Sequence, residues 1–354
     1  MNINRILLDG IAPFLESYYC KYSDIKEFLV FDGSFEERQR KAIHIIEDIM
    51  VEHRKEDLLR NVEELANVEY AIRELQPSAR DHVVHALLSF ILGVYINENF
   101  LKPVSSVGVD RFQWKLAGLL HDIGYPAEVA QSAILRHFAE TINEIKRRLD
   151  VEAPDVGFKV VPFGFEELTD GFNSFDLIQN RLNSWGLQIN ARGEYNEMIK
   201  SKEIRHDIIS SLAILHVVDF LYHKYNPERR HKAISPPPGK YFGHDVNFNQ
   251  KYFEEDVVSA CAAIYIHSLP GKCFDHSKID RSRAPVAFLL KLSDALQIWK
   301  RPSIKNPTGF AASLFDIEVV NGELRFRADI PKSEKDKINN EISSVLIAQD
   351  IRIR

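Results

Sequence analysis

The chain has few cysteines, no long hydrophobic run and no excess of positive charge, and each absence excludes something. Only Cys20, Cys261 and Cys273 occur in 354 residues, with no CxxC spacing, and Cys261 sits in an apolar run. That usage predicts a reduced, cytoplasmic compartment and no disulfide framework. No stretch approaches 18 uninterrupted apolar residues, so no membrane span is expected. The opening "MNINRILLDGIAPFLESYYCKYSD" lacks a basic start followed by a long apolar core and does not read as a signal peptide. Lys plus Arg number 45 against 51 Asp plus Glu, a formal net charge of −6. That balance offers no global basic field to nucleic acid or an anionic membrane, although a phosphate-binding cleft needs only a few local cations. Internal repeats and low-complexity tracts are also missing. What is there, 45% hydrophobic and 27% charged residues, is the composition of an ordinary soluble globular protein. The length allows one large domain, or a domain with an appendage.

Periodicity predicts a mainly α fold. From about 34 to 75 apolar residues recur at three and four residue steps, with no Gly or Pro. After Pro77, Ser78 is the expected N-cap of "ARDHVVHALLSFILGVYI", which is apolar nearly all round past Val83 and therefore central. A helix starting near Asp110 carries "LAGLLHDIGYP", residues 116–126, and ends by Gly124. Further helices are expected from about 127 to 149, at 175–185, at 204–224, over "YFEEDVVSACAAIYIHS" and over "APVAFLLKLSDALQIWKR", where Pro285 suits a helix start. Residues 151–173 read as a loop or short hairpin. Residues 226–250 form a long polar insertion of the kind that is usually functional or disordered. Its Arg229, Arg230, His231 and Lys232 fit either a phosphate-facing lid or an exposed charged loop. Past Pro307 two alternating runs flank Asn321–Gly322, a strong hairpin signal, and one helix follows. The expected organisation is an N-terminal helical segment (1–77), a central helical domain (78–307) and a small α+β C-terminal appendage (308–354). The hairpin could pair with a second subunit, giving a homo-oligomer, or rest on the helical core.

Three His-Asp dipeptides occur, at 121–122, 206–207 and 244–245. The first closes an apolar helix, where an unsatisfied polar pair costs several kcal/mol. Neighbouring helical residues point about 100° apart, so they share one ion best near a helix end, which Gly124 and Pro126 supply. A metal on His121 and Asp122 would need more ligands from adjacent buried helices. His85 or His82, one turn apart on the same side, offers one, and His85 is the preferred ligand because it leads into the apolar face of Leu88 and Leu92. His206 precedes "DIISSLAIL", where Ser210 and Ser211 permit close helix approach. His267 ends "ACAAIYIH", and Asp294 is an acid inside the otherwise buried "FLLKLSDALQIW". Carboxylates are rarely buried without a partner cation.

In the order H…HD…H…H…D, and in the local sequences "LLHDIGYP" and "FLLKLSDALQIW", residues 78 to 301 resemble the HD-domain superfamily of metal-dependent phosphohydrolases. The resemblance implies an all-helical HD core whose helices bring the ligands together. It also implies a divalent metal, and two where the extra histidines are present. In that scheme Asp122 bridges, His85, His121 and Asp294 complete one site, and His206 and His267 hold the other. His121 and Asp122 would then be the catalytic pair. The mixed His/carboxylate set accepts Mn, Fe, Ni, Zn or Mg, and two such ions can clamp phosphoryl oxygens and activate water.

The expected partner is a nucleotide-like phosphorylated small molecule, with no membrane and no clear nucleic-acid binding. Cations that could meet it are Arg80, Arg205, Lys272, Arg281 and Arg283, with His82 as a further contact. The chain departs from two subfamilies of the superfamily. His267 is followed by "SLPGK", where cyclic di-GMP phosphodiesterases carry a further His and a GYP triplet. "GYPAEVA" follows the HD pair in place of the continuation typical of dNTP triphosphohydrolases. Three alternatives stand beside this reading: a dNTP triphosphohydrolase-like enzyme, an HD-type di-iron oxygenase, which uses the same six-ligand order, and a non-catalytic module that senses a nucleotide, against which the complete ligand set argues.

Overall fold

All fifteen residues of His82–Ile96 are buried, and the helices Arg5–Ile11, Phe35–Val51, Arg111–Leu120 and Pro285–Leu296 pack against this segment. The computed structural model describes residues 5–31, 33–51, 81–128, 164–168, 171–225, 253–297 and 315–353. In chain order the elements are α1 (Arg5–Ile11), α2 (Tyr22–Val30), α3 (Phe35–Val51), α4 (His82–Ile96), α5 (Arg111–Leu120), α6 (Ser174–Ser184), α7 (Ala191–Ser201), α8 (His206–Tyr225), α9 (Ser259–Ile266), α10 (Pro285–Leu296), β1 (Phe315–Val320), β2 (Glu323–Ala328), α11 (Lys332–Val345) and β3 (Ile351–Ile353). Among the described residues the fold is mainly helical, with one small three-stranded sheet at the C-terminal end.

The core forms where α4 packs on α5 and α10, and where α9 packs on α5, α8 and α10. Two glycines set its close approaches. A Cβ on Gly93 would meet Trp114 Cζ2 at 1.9 Å. Only a glycine therefore lets α4 cross α5 at this spacing. Trp114 is fully buried there, and its indole N–H donates to the Phe90 carbonyl at 3.1 Å. The second glycine, Gly124, belongs to the site. The stretch His82–Val104 is long and apolar enough to cross a membrane, but 89% of its most apolar window is buried inside the fold.

Several sequence expectations are corrected. The cap of α4 is Asp81, whose carboxylate accepts the Val84 N–H at 2.9 Å, and the helix begins at His82, too late for Ser78 to cap it. Helix α7 was not expected. It is short and polar and contains Gly193, so its periodicity is weak, and it is set by Asn190, whose side chain accepts the Gly193 N–H. Helical structure after the HD pair starts at Tyr125, two residues early; the rest of the helix expected to 149 lies outside the described residues, as does the insertion 226–250. The loop or hairpin expected at 151–173 is described only from 164; there Glu167 and Asn173 form an isolated antiparallel bridge.

The hairpin turns at Asn321 and Gly322, both at positive φ, and pairs Phe315 with Ala328 through Val320 with Glu323. It rests on the helical core of its own chain. Ile317, Leu324 and Phe326 are buried, and the Tyr95 hydroxyl donates to the Ile317 carbonyl at 3.0 Å. Strand β3, unexpected because it is only three residues long, adds parallel to β2. Helix α11 packs on α10 and on the turn Gly271–Phe274.

Candidate metal centre

Helix α5 ends one residue before the HD pair, so His121 and Asp122 begin a turn that runs to Gly124. This turn docks on the first turn of α8. The Gly124 N–H donates to Ser210 Oγ at 2.8 Å, and a Cβ on Gly124 would meet the His206 carbonyl at 2.6 Å and the Ser210 nitrogen at 2.7 Å. Both neighbours are backbone and cannot swing aside. Glycine at 124 is thus what brings His206 to Asp122.

Four imidazoles converge on the two oxygens of Asp122. One oxygen, Oδ2, lies 3.6 Å from His121 Nε2 and 3.8 Å from His85 Nε2. The other, Oδ1, lies 3.5 Å from His206 Nε2 and 3.6 Å from His267 Nε2. The ligand atoms therefore form two groups, His85–His121–Asp122 and Asp122–His206–His267, either of which could hold a metal ion. Asp294 Oδ1 lies beside the first, 2.9 Å from His85 Nε2. Of the two early histidines, His85 belongs to a group and His82 does not; His82 stacks on Tyr125 with ring centroids 3.4 Å apart.

The far nitrogens account for why all four rings present Nε2. His121 Nδ1 faces the Gly118 carbonyl at 3.2 Å, and His267 Nδ1 the Ile264 carbonyl at 2.6 Å. His85 Nδ1 faces the Gln297 amide oxygen, and His206 Nδ1 the Glu128 carboxylate at 2.7 Å. An acceptor on Nδ1 fixes the proton there and leaves the Nε2 lone pair for a cation. Glu128 and Gln297 were missed in the sequence, where only an acid one turn beyond the HD turn and an amide three residues after Asp294 hinted at them.

Electrostatics agree with this donor arrangement. Burial holds His121 down at about 3 despite the opposing pull of Asp122, so its ring is neutral. Burial would raise the Asp122 carboxyl, but the imidazoles around it, the His206 cation among them, outweigh it and hold the group well below the usual carboxylate range. Burial would likewise lower His206, yet the Glu128 hydrogen bond and the Asp122 charge push it up to about 9. In the metal-free protein His206 is therefore a cation between two carboxylates. A divalent ion is the natural replacement for that proton. Glu128→Gln is expected to weaken the second cation site roughly 10–100-fold and spare the first; cobalt titration followed in the visible spectrum would register this as loss of the weaker step alone.

The remaining candidates lie elsewhere or are already engaged. Asp207, buried, pairs with Arg205 at 2.7 Å, and Arg205 also reaches Glu194 at 3.1 Å. The second His-Asp dipeptide thus contributes its histidine alone. Arg281 pairs with Asp350 and lies over the Phe100 ring. Arg283 sits against Gly186, and Lys272 is exposed on the turn Gly271–Phe274. Arg80 and the pair 244–245 fall outside the described residues.

An open cavity of about 340 Å³ adjoins the centre, lined by Asp294, Ser268, Lys291, Glu341 and Ser344 among others. Ser268 Oγ is 3.2 Å from His206 Nε2, so the cavity borders both ligand groups. Lys291 was not among the residues singled out in the sequence; it is three residues before Asp294 and buried, and its Nζ is 2.7 Å from Glu341 Oε1. Compared with protein-family models, with curated proteins and with solved structures, the chain matches none.

Proposed function

We propose that the chain is an HD-superfamily metal-dependent phosphohydrolase that cleaves a phosphate ester or anhydride bond of a nucleotide-like small molecule. The observation that carries this reading is the division of Asp122: one oxygen faces His85 and His121, the other His206 and His267. A single carboxylate between two histidine pairs is the donor set expected of a bridged pair of divalent ions. Nitrogen and oxygen donors of this kind suit Mn, Fe, Ni or Zn, and Mg less well. Bound there, two cations would supply Lewis acidity toward phosphoryl oxygens and a water of lowered pKa.

The chain's own residues do the rest. Asp122 stays ionised, His121 stays neutral, and the carbonyls of Gly118 and Ile264 hold two of the rings in one tautomer. The cluster is buried except at Asp294, which lines the cavity, and at the part-exposed His206, so a substrate can approach from the Asp294 side.

Elemental analysis of purified protein is expected to find about two transition-metal ions per chain, following the two donor groups. A screen of nucleotides, cyclic nucleotides and dNTPs with Mn²⁺, Mg²⁺, Fe²⁺, Ni²⁺ and Zn²⁺ under anaerobic conditions is then expected to release phosphate or nucleotide. Protein that binds no such ion, or turnover that requires O₂, overturns the reading.

A further inference from the structure

The cavity beside Asp294 is built by two parts of the chain that sequence separates, the turn after α9 with α10 on one side and α11 on the other. Lys291 and Asp294 are three residues apart on α10 and so share a face. That face places an ammonium group on the same side as a candidate metal ligand. The Lys291 side chain is only 5% exposed, whereas its partner Glu341 is 40% exposed. Opposite them, Gly271 lets the turn approach α11; a Cβ there would meet Ser344 Oγ at 2.9 Å. Leu269 and Val345 supply apolar lining, and Ser268 and Ser344 supply hydroxyls.

An ion pair with one partner 40% exposed adds little to stability, so folding alone gives little reason for this one. Its chemistry suits a ligand. The ammonium donates and the carboxylate accepts, which together match a neutral hydroxyl that does both. An anion placed at the same point would meet the Glu341 charge, so a phosphate group belongs at the metal ligands. At about 340 Å³ the cavity falls at the small end of ligand pockets, which span about 300–1,000 Å³.

We infer that this cavity binds the hydroxyl-bearing, non-reacting sugar portion of the substrate, with Lys291 and Glu341 as the pair that determines specificity. The inference rests on the phosphohydrolase reading, since it assigns the phosphate to the metal centre. Helix α11 is then a wall of the binding site, and the C-terminal appendage takes part in substrate choice.

Calorimetry on the Mn²⁺-loaded full chain, with inorganic phosphate and with ribose 5-phosphate as probes, tests it. Ribose 5-phosphate is expected to bind about tenfold tighter than phosphate, the worth of one or two charge-assisted hydrogen bonds. In Lys291→Met and Glu341→Gln that preference should vanish while phosphate affinity stays as in the parent. Glu341→Gln is isosteric and partly exposed, so it decides the matter even where Lys291→Met fails to fold. Equal affinity of the parent for both probes, or equal weakening of both in the variants, overturns the cavity assignment and leaves the phosphohydrolase reading standing. Absence of phosphate binding to Mn²⁺-loaded protein overturns both.

Discussion

Asp122→Asn is expected to strip both halves of the metal centre at once. The change is isosteric and removes the one carboxylate shared by His85 and His121 on one side and His206 and His267 on the other. An amide presents one neutral oxygen where the carboxylate presents two charged ones, so the second group loses its anionic ligand and the first keeps only the neighbouring Asp294. Metal content should fall below one ion per chain. Turnover should fall ~10³-fold or more, since the cations supply several kcal/mol of transition-state stabilisation and each 1.36 kcal/mol is a factor of ten. Plasma emission spectrometry on the dialysed variant reads the first quantity. Retention of one full equivalent would show that Asp122 serves one ion only.

His85→Ala and His82→Ala should behave as opposites, although both residues lie on the first turn of α4 and both are buried. His85 Nε2 faces Asp294 at 2.9 Å and His121 Nε2 at 3.4 Å. Its loss takes one of the donors from the first group and leaves the Gln297 amide oxygen without its imidazole. Turnover is expected to fall roughly 10²–10³-fold, in line with a loss of about 3–4 kcal/mol. His82 rests against Tyr125, and its removal should leave both metal equivalents in place, with a loss no greater than about tenfold. The ratio of metal content to turnover across the two variants identifies the ligand; the reverse order would transfer the role to His82.

The choice between these two histidines shows what the sequence can and cannot carry. Periodicity placed both on one buried helix, and the HD pair, His206, His267 and Asp294 were each visible as polar residues at the ends or within apolar runs. Those signals are local, because burial is written into the neighbours of each residue. The outer partners have no such mark. Glu128 is a single acid at the start of a mostly apolar stretch, and Gln297 follows the last apolar turn of α10; only the folded chain brings them to an Nδ1 atom. Lys291 was hidden for a related reason. A lysine inside an apolar helix reads as a side chain that reaches solvent, and its acid partner is 50 residues away. The arginines misled in the opposite direction. Nearness in sequence to a ligand suggested a contact with substrate, yet Arg205 is committed to Asp207 and Glu194, and Arg281 to Asp350. Among the elements, α7 and β3 escaped because one is polar with an internal glycine and the other is three residues long.

His85 and Asp294 touch in space and stand 209 residues apart in the chain. At a synthesis rate of about 5–20 residues per second, α4 leaves the ribosome roughly 10 to 40 s before its partner exists. During that interval its apolar surface lacks the face of α10 that later covers it. The metal centre thus waits for α10 in the nascent protein, and an apolar helix left partly uncovered over that interval carries its first ligand.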